Sequence, residues 1–254
     1  MIKNFITILI GFLFFTIGII NKEFIIGIFE NITHNNLISI ILFYLIIGIP
    51  IFIATFLITK KLNFIDEYGF NKNILLGLVF AGLATIPMFI GGMIFFKLNT
   101  SLSFEYVIKM ALIAGFFEEL YFRGFLFAQL FKKTKLGFIL SIFIGALIFS
   151  LFHLFGAQSF IEILGIFIST FIGAILFAWL YVEWNYNIWI PIFLHTFMNL
   201  AWVTFSLSEN SSGNLYSNIF RILTILCAIV FTILWKRHKG EIFLINRTTI
   251  WLKK

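Results

Sequence analysis

The chain has 254 residues, of which 61% are hydrophobic and only 11% are charged, and its mean hydropathy is +1.06. A soluble domain usually carries about 25% charged residues, so this composition excludes a soluble enzyme and indicates a protein that crosses a membrane several times. The net charge of +7 does not indicate a nucleic-acid partner, because no basic run alternates with aromatic residues on a soluble segment.

Apolar segments long enough to cross the hydrocarbon layer, which is about 30 Å thick, follow one another along almost the whole chain. The predicted fold is therefore an all-α membrane bundle of about eight transmembrane helices that forms a single domain over residues 1–254. The first segment follows Lys3, as in a signal peptide, but no small-residue cleavage site precedes Asn21, so we predict a retained helix. The predicted spans lie at about 5–20, 37–59, 74–96, 104–131, 136–155, 163–182, 188–205 and 219–235.

Basic residues are concentrated in alternate connections of this map. The positive-inside rule places such connections in the cytoplasm, so both termini are predicted to be cytoplasmic, with a short basic tail over 236–254. We expect an integral protein of a bacterial plasma membrane. On the predicted cytoplasmic side lie Lys3, Lys60, Lys61, Lys72, Lys132, Lys133, Lys135, Lys236, Arg237, Lys239, Arg247, Lys253 and Lys254, against Lys22, Lys97, Lys109 and Arg221 on the other side.

The segment FFEELYFRGFLF, residues 116–127, places three charged side chains in an apolar run. On insertion scales a charge at a helix centre costs about 2.5–3.5 kcal/mol, whereas a Leu, Ile or Phe returns only about 0.3–0.6 kcal/mol. Glu119 and Arg123 are four residues apart and can pair on one helix face, while Glu118 projects about 100° away. Glu118 therefore needs a proton, water or a group from another helix.

Two histidines in other predicted helices can supply such a group. His153 ends the segment FSLFH, and His195 begins HTFMN, in which Asn199 lies on the same helix face. A salt-bridge cluster between helices would account for a charged pair but would leave Glu118 without a partner. We therefore predict one polar site shared by three helices.

These patterns resemble the CPBP family, also called the ABI family, of intramembrane proteases related to the CAAX prenyl endopeptidase. EELYFR has the form Glu-Glu-x-x-x-Arg, FSLFH the form Phe-x-x-x-His and HTFMN the form His-x-x-x-Asn, in the order found in that family. The resemblance covers a core of about 102–199 that carries the three motifs. It implies an intramembrane endopeptidase.

The resemblance also implies residue roles. Glu118, helped by His153, would activate the attacking water, and His195 with Asn199 would contact the scissile carbonyl and stabilise the oxyanion. The chemistry of the side chains is compatible with these roles, because peptide hydrolysis needs a base for water and donors for the developing oxyanion. The partners expected are a membrane-associated or lipidated peptide or protein substrate and the lipid bilayer.

The resemblance further implies that Glu119 and Arg123 form a structural pair at the site. A metal-dependent alternative uses the same atoms, since Glu118, His153 and His195 are a familiar ligand set for catalytic zinc or another divalent metal. The preferred interpretation requires no cofactor, because a metal-bound Glu118 would leave no second carboxylate as base unless Glu119 left Arg123.

Two other function classes compete with a protease. A proton- or ion-coupled transporter would use the same polar residues as a relay, but it would usually show repeated halves with interrupted helices, which this sequence lacks. A catalytically silent binding or immunity protein would keep the fold, but it would be expected to have lost a motif residue, and none is lost. The sequence therefore favours the protease.

Overall fold

The computed structural model describes residues 2–155, 157–208 and 210–252. These ranges contain helices and no named strand. The all-α membrane bundle predicted from the sequence is confirmed. Lys253 and Lys254 of the predicted basic tail lie outside the described residues.

The helices have the following bounds. The sixth, α6, is a continuous helical run in which α-helical and π-helical bonding alternate, and its segments are Phe104–Val107, Ile108–Ile113, Ala114–Glu118, Glu119–Phe127 and Ala128–Lys133. The others are α1 Ile2–Ile20, α2 Lys22–Thr33, α3 Asn36–Thr59, α4 Phe64–Tyr68, α5 Ile74–Phe95, α7 Phe138–Phe152, α8 Phe160–Glu183, α9 Trp189–Thr204 and α10 Leu215–Lys239.

Each predicted span corresponds to a helix of the structure, namely α1, α3 and α5 to α10. Among the described residues, 5 helices, α1, α3, α5, α8 and α10, are long and apolar enough to cross a membrane by themselves. Helices α7 and α9 are shorter, with 15 and 16 residues, and α6 carries the charged motif. The chain is therefore an integral membrane protein, and the number of eight spans remains a prediction.

The sequence did not predict α2, because Lys22, Glu23 and Glu30 lower its hydropathy. In the structure α2 follows α1 after a single-residue break at Asn21, and both helices pack along α3. Helix α4 was also missed, because five residues in a polar connection carry no helical periodicity.

Short polar side chains begin most of these helices. The side chain at the N-cap position accepts a hydrogen bond from a backbone N–H in the first turn, which satisfies a group that the helix itself cannot pair. The residues that cap in this way are Asn35, Asn63, Asn73, Ser103, Ser159 and Asn214.

Connections that carry basic residues meet at one end of the bundle. Asn4 Nδ2 donates to the Lys133 carbonyl at 3.1 Å, and Asn187 Nδ2 donates to the Asn73 carbonyl at 3.0 Å. This end, called here the basic end, contains the start of α1 and the connections 60–73, 134–137, 184–188 and 240–252.

Charge pairs hold the basic end together. Glu67 lies 3.0 Å from Lys132 Nζ and 3.1 Å from Lys133 Nζ. Burial raises the pKa of the Glu67 carboxyl, but the two neighbouring ammonium groups outweigh burial and the pKa is lowered overall. Lys236 Nζ pairs with Glu183 at 3.1 Å, and both side chains are almost fully buried.

The chain beyond α10 folds back onto the basic end. Glu183 accepts hydrogen bonds from the backbone N–H groups of Leu244 and Ile245 at 3.0 and 2.8 Å. The Phe138 N–H at the start of α7 donates to the Thr249 carbonyl at 2.8 Å. These contacts close the basic end over α7 and α8.

The remaining connections meet at the other end of the bundle. The Asn99 N–H donates to the Thr204 carbonyl at 2.8 Å, and Asn210 Nδ2 donates to Glu162 Oε1 at 2.7 Å. This end, called here the opposite end, contains the connections 34–35, 96–103, 153–155 with 157–159, and 205–208 with 210–214.

Helix α6 lies at the centre of the bundle, in contact with α1, α3, α4, α7, α8 and α9. Gly115 allows α9 to approach it closely, since a Cβ atom at this position would stand 2.5 Å from Thr196 Oγ1 and 3.0 Å from the Thr196 backbone nitrogen. Thr196 follows His195, so this approach also sets the position of that histidine against α6.

Gly115→Ala is expected to push α9 away from α6. Overpacking of a buried contact typically costs about 1–3 kcal/mol, so the purified variant should unfold at a lower temperature and lose turnover. The matched control is Gly27→Ala on α2, where an added Cβ meets nothing within 4 Å. Thermal unfolding of Gly115→Ala indistinguishable from that of Gly27→Ala would contradict the close-packing argument.

Candidate active site

The structure brings together residues from three sequence motifs. Glu118 is on α6, His153 directly follows α7, and His195 is in the middle of α9. The Glu118 Oε2 atom lies 3.9 Å from His153 Nε2 and 3.9 Å from His195 Nε2. Among the described residues this buried oxygen has no hydrogen-bond partner. A carboxylate therefore faces two imidazoles across gaps that are longer than a direct hydrogen bond.

Glu119 connects α6 to α9. Its Oε1 atom lies 3.1 Å from Arg123 Nη1 and 2.7 Å from His195 Nδ1. Glu119 is fully buried, and Arg123 is 1% exposed. An ionised carboxylate only accepts hydrogen bonds, so His195 carries a proton on Nδ1, and its Nε2 atom faces Glu118. The sequence pattern predicted a pair of Glu119 with Arg123 but not this second bond to His195.

Arg123 is enclosed by aromatic rings. Its guanidinium carbon lies 4.3 Å from the centroid of Phe149 and 5.4 Å from that of Phe177. Phe149 also contacts the ring of His153, with 4.3 Å between centroids, and Phe177 contacts that of His195 at 5.6 Å. The Arg123 guanidinium thus packs against the two phenylalanine rings that contact His153 and His195.

His153 is oriented by the end of α7. Its Nδ1 atom lies 2.8 Å from the Phe149 carbonyl oxygen, which can only accept, so Nδ1 is protonated and Nε2 faces Glu118. A carbonyl near a helix end lacks an intrahelical partner, and the imidazole provides one. The four-residue spacing of the Phe-x-x-x-His motif therefore places the His153 ring beside the Phe149 carbonyl.

Asn199 takes a different position from the other predicted site residues. Its Nδ2 atom donates to the Met110 carbonyl at 2.9 Å, in the π-helical segment Ile108–Ile113. The second N–H of the amide remains available, and Asn199 lines the same cavity as Glu118 and His195. It is therefore placed near the site, with one of its two donors already used.

A cavity of about 580 Å³ leads from these residues to the opposite end of the bundle. A second cavity of about 430 Å³ shares Glu118, Phe149 and His153 with the first. The first cavity is also lined by polar residues that sequence reasoning missed, because they lie on connections or on other helices with no motif spacing. They include Asn99, Ser169, Ser208, Asn210, Ser211 and Arg221.

The distances from Glu118 to the two imidazoles differ from those between the ligands of a zinc site. In tetrahedral zinc sites, ligands bound at about 2.0–2.2 Å stand roughly 3.3–3.6 Å apart. The donor types of Glu118, His153 and His195 suit zinc, but the separation of 3.9 Å between the carboxylate and each imidazole is wider. No group of three or more His, Cys, Asp or Glu in the described ranges is close enough to hold a metal ion.

A carboxylate and two imidazoles that converge inside an α-helical membrane bundle are compatible with hydrolytic chemistry. Residues 99–201 match the family model described as type II CAAX prenyl endopeptidase Rce1-like. This match contains all three motifs, and it supports membership of the CAAX protease family and an intramembrane protease of that general type. No curated protein matches the chain.

Glu119→Ala is expected to destabilise the protein strongly. Removing one partner of a buried pair leaves the other charge uncompensated and typically costs about 3–5 kcal/mol. The thermal unfolding temperature of purified Glu119→Ala should fall well below that of the wild type. Glu118→Gln is the matched control on the neighbouring position, because Glu118 Oε2 has no hydrogen-bond partner to lose among the described residues. Equal destabilisation by both substitutions would show that the two carboxylates do not have distinct structural roles.

Proposed function

We propose that this protein is an endopeptidase that hydrolyses a peptide bond of a membrane-associated or lipidated polypeptide, with Glu118 as the general base. The observation that carries the proposal is the position of the Glu118 Oε2 atom, which lies 3.9 Å from both His153 Nε2 and His195 Nε2 and has no other partner among the described residues. A polar contact of this length can be bridged by a water molecule.

In the first step Glu118 accepts a proton from the attacking water. The oxygen of that water forms a bond to the carbonyl carbon of the scissile peptide, and the electron pair of the carbonyl moves to its oxygen. His153 assists because its Nε2 faces Glu118, while its Nδ1 is held by the Phe149 carbonyl. General-base assistance of this kind contributes typically 10²–10⁴-fold to a rate.

The developing oxyanion requires donors in a site with little water. Glu119 accepts from His195 Nδ1 and so holds the imidazole with its Nε2 atom toward the site, where Nε2 donates to the oxyanion when it carries a proton. The free N–H of Asn199 can provide the second donor. When the tetrahedral intermediate collapses, the bond between carbon and nitrogen breaks and the proton held by Glu118 passes to the leaving amine.

Glu119 and Arg123 are proposed to act as a positioning pair. Neither needs to touch the substrate, since Glu119 orients His195 and Arg123 supports the two phenylalanines behind the histidines. The preferred mechanism uses no cofactor. The lipid bilayer is the proposed partner of the helical bundle that contains the site.

The proposed activity is tested by comparing membrane peptides. Cells that carry the wild-type protein should contain cleaved peptides that are absent, or reduced by about 10²–10⁴-fold in production rate, in cells carrying Glu118→Gln. The two strains need equal amounts of folded protein, which immunoblotting of the membranes measures. Identical peptide patterns at equal protein levels would favour the catalytically silent binding protein.

Metal removal tests the choice between the general base and a metal centre. With Glu118 as base, treatment of the purified active protein with a strong chelator should leave turnover unchanged. If Glu118, His153 and His195 bind zinc instead, the metal should be present in stoichiometric amount, and its removal should abolish turnover. In that case Glu118→Gln should also lose the metal, and adding zinc to the stripped wild type should restore activity.

We also propose that the basic end faces the cytoplasm, with both termini on that side of a bacterial plasma membrane. The described basic residues outside the bundle core are concentrated at this end, as the positive-inside rule requires of cytoplasmic connections.

A further inference from the structure

Both cavities at Glu118 lead toward the opposite end of the bundle. At its outer part the larger cavity is lined by Asn99, Ser206, Ser208, Asn210 and Ser211, all from connections of that end. The smaller cavity reaches Phe155 in the connection 153–155, and it is also lined by Lys22 and Glu23 at the start of α2. None of the described lining residues of either cavity comes from the connections of the basic end.

The path from the basic end to Glu118 is closed by packing. Every residue of α6 from Glu119 to Phe131 is buried, whereas the half of the helix that precedes them is partly exposed. Tyr68 and Tyr181 are in the same packed core as the buried segment 119–131 of α6 and are also fully buried. Tyr181 Oη donates to the Tyr68 carbonyl at 2.9 Å. Protein interiors packed in this way leave no passage for a polypeptide.

The two ends differ in charge as well as in access. The closed end carries the basic connections, including Lys60, Lys61 and Lys135, whereas the connections around the cavity mouth carry mainly Asn and Ser. Basic connections are retained on the cytoplasmic side during membrane insertion. The open end is therefore the end that insertion would place outside the cytoplasm.

We propose that the active-site cavity opens on the extracytoplasmic side of the membrane, and that its substrate is a polypeptide whose cleaved segment is presented at that side. This inference deepens the proposed function and rests on it for the identity of the active site and for the cytoplasmic orientation of the basic end. The class of substrate that fits is an exported or membrane-anchored polypeptide with its scissile bond near the outer leaflet. A cytoplasmic segment would have to cross the closed half of α6 to reach Glu118.

The larger cavity suits an unfolded segment of polypeptide. Its walls alternate apolar groups such as Leu176 and Met198 with hydroxyl and amide groups such as Ser169 and Asn199. The apolar groups of such a surface can pack against substrate side chains. Its polar groups can form hydrogen bonds with the backbone N–H and C=O groups of an extended chain, which are costly to bury without a partner. A folded domain would not fit into about 580 Å³.

Cysteine labelling in intact cells tests the side of the opening without any substrate. Cys227 is the only cysteine, and Cys227→Ala gives a background free of thiols. Gly173→Cys places a thiol on the cavity wall, where an added Cβ meets nothing within 4 Å. Ser101→Cys marks the opposite end, and Lys61→Cys marks the basic end. The probe is a membrane-impermeant sulfonated maleimide, applied before and after the membrane is permeabilised.

The expected result is that Gly173→Cys and Ser101→Cys react fully in intact cells, while Lys61→Cys reacts only after permeabilisation. Modification of Gly173→Cys only after permeabilisation, or in neither condition, would overturn the extracytoplasmic opening. Reaction of Lys61→Cys with protection of Ser101→Cys in intact cells would overturn the orientation. Neither outcome depends on turnover, so the loss of peptides in Glu118→Gln cells would still test the proposed activity separately.

Discussion

The arrangement of the site depends on the buried carboxylate of Glu119. One of its oxygens lies within 3.1 Å of Arg123 on the same helix and 2.7 Å from His195 on α9. Ion pairs in a medium of low dielectric constant stabilise only when the geometry is close and the charges balance. Glu119 meets two basic groups here. The same carboxylate therefore pairs with the charge of Arg123 on α6 and fixes the position of the His195 imidazole on α9.

The two halves of α6, before and after the boundary between Glu118 and Glu119, differ in burial and therefore in what they contribute to the site. The half from Glu119 onward is fully packed and ends at Lys132 and Lys133, which pair with Glu67 at the basic end. The half that ends at Glu118 contributes most of the α6 residues that line the larger cavity, and Glu118 itself lines both cavities. Hydrolysis needs water on one side of the carboxylate and a rigid support on the other. Adjacent residues on one helix meet these two requirements because their side chains project in different directions.

Hydropathy was sufficient to predict the helical fold, because in a membrane each backbone polar group must be paired within a helix. It failed for α2 and α4, which are short and polar. The motif spacings predicted which side chains share a helix face, but a spacing on one helix contains no information about its neighbours. The bond between Glu119 and His195 and the close approach at Gly115 were therefore invisible in the sequence.

Among the described residues, the buried Oε2 atom of Glu118 has no hydrogen-bond partner. Moving a carboxylate out of water is expensive, and each of the two nearest imidazole nitrogens is 3.9 Å away, too far for a direct hydrogen bond. If Glu118 served only the stability of the fold, an apolar side chain of similar size at this position would cost little or no folding free energy. The packing instead holds both imidazoles in place through other atoms, Nδ1 of His153 on the Phe149 carbonyl and Nδ1 of His195 on Glu119. This leaves the Nε2 atoms and the carboxylate free to act on a third molecule, which is the arrangement that activation of water requires.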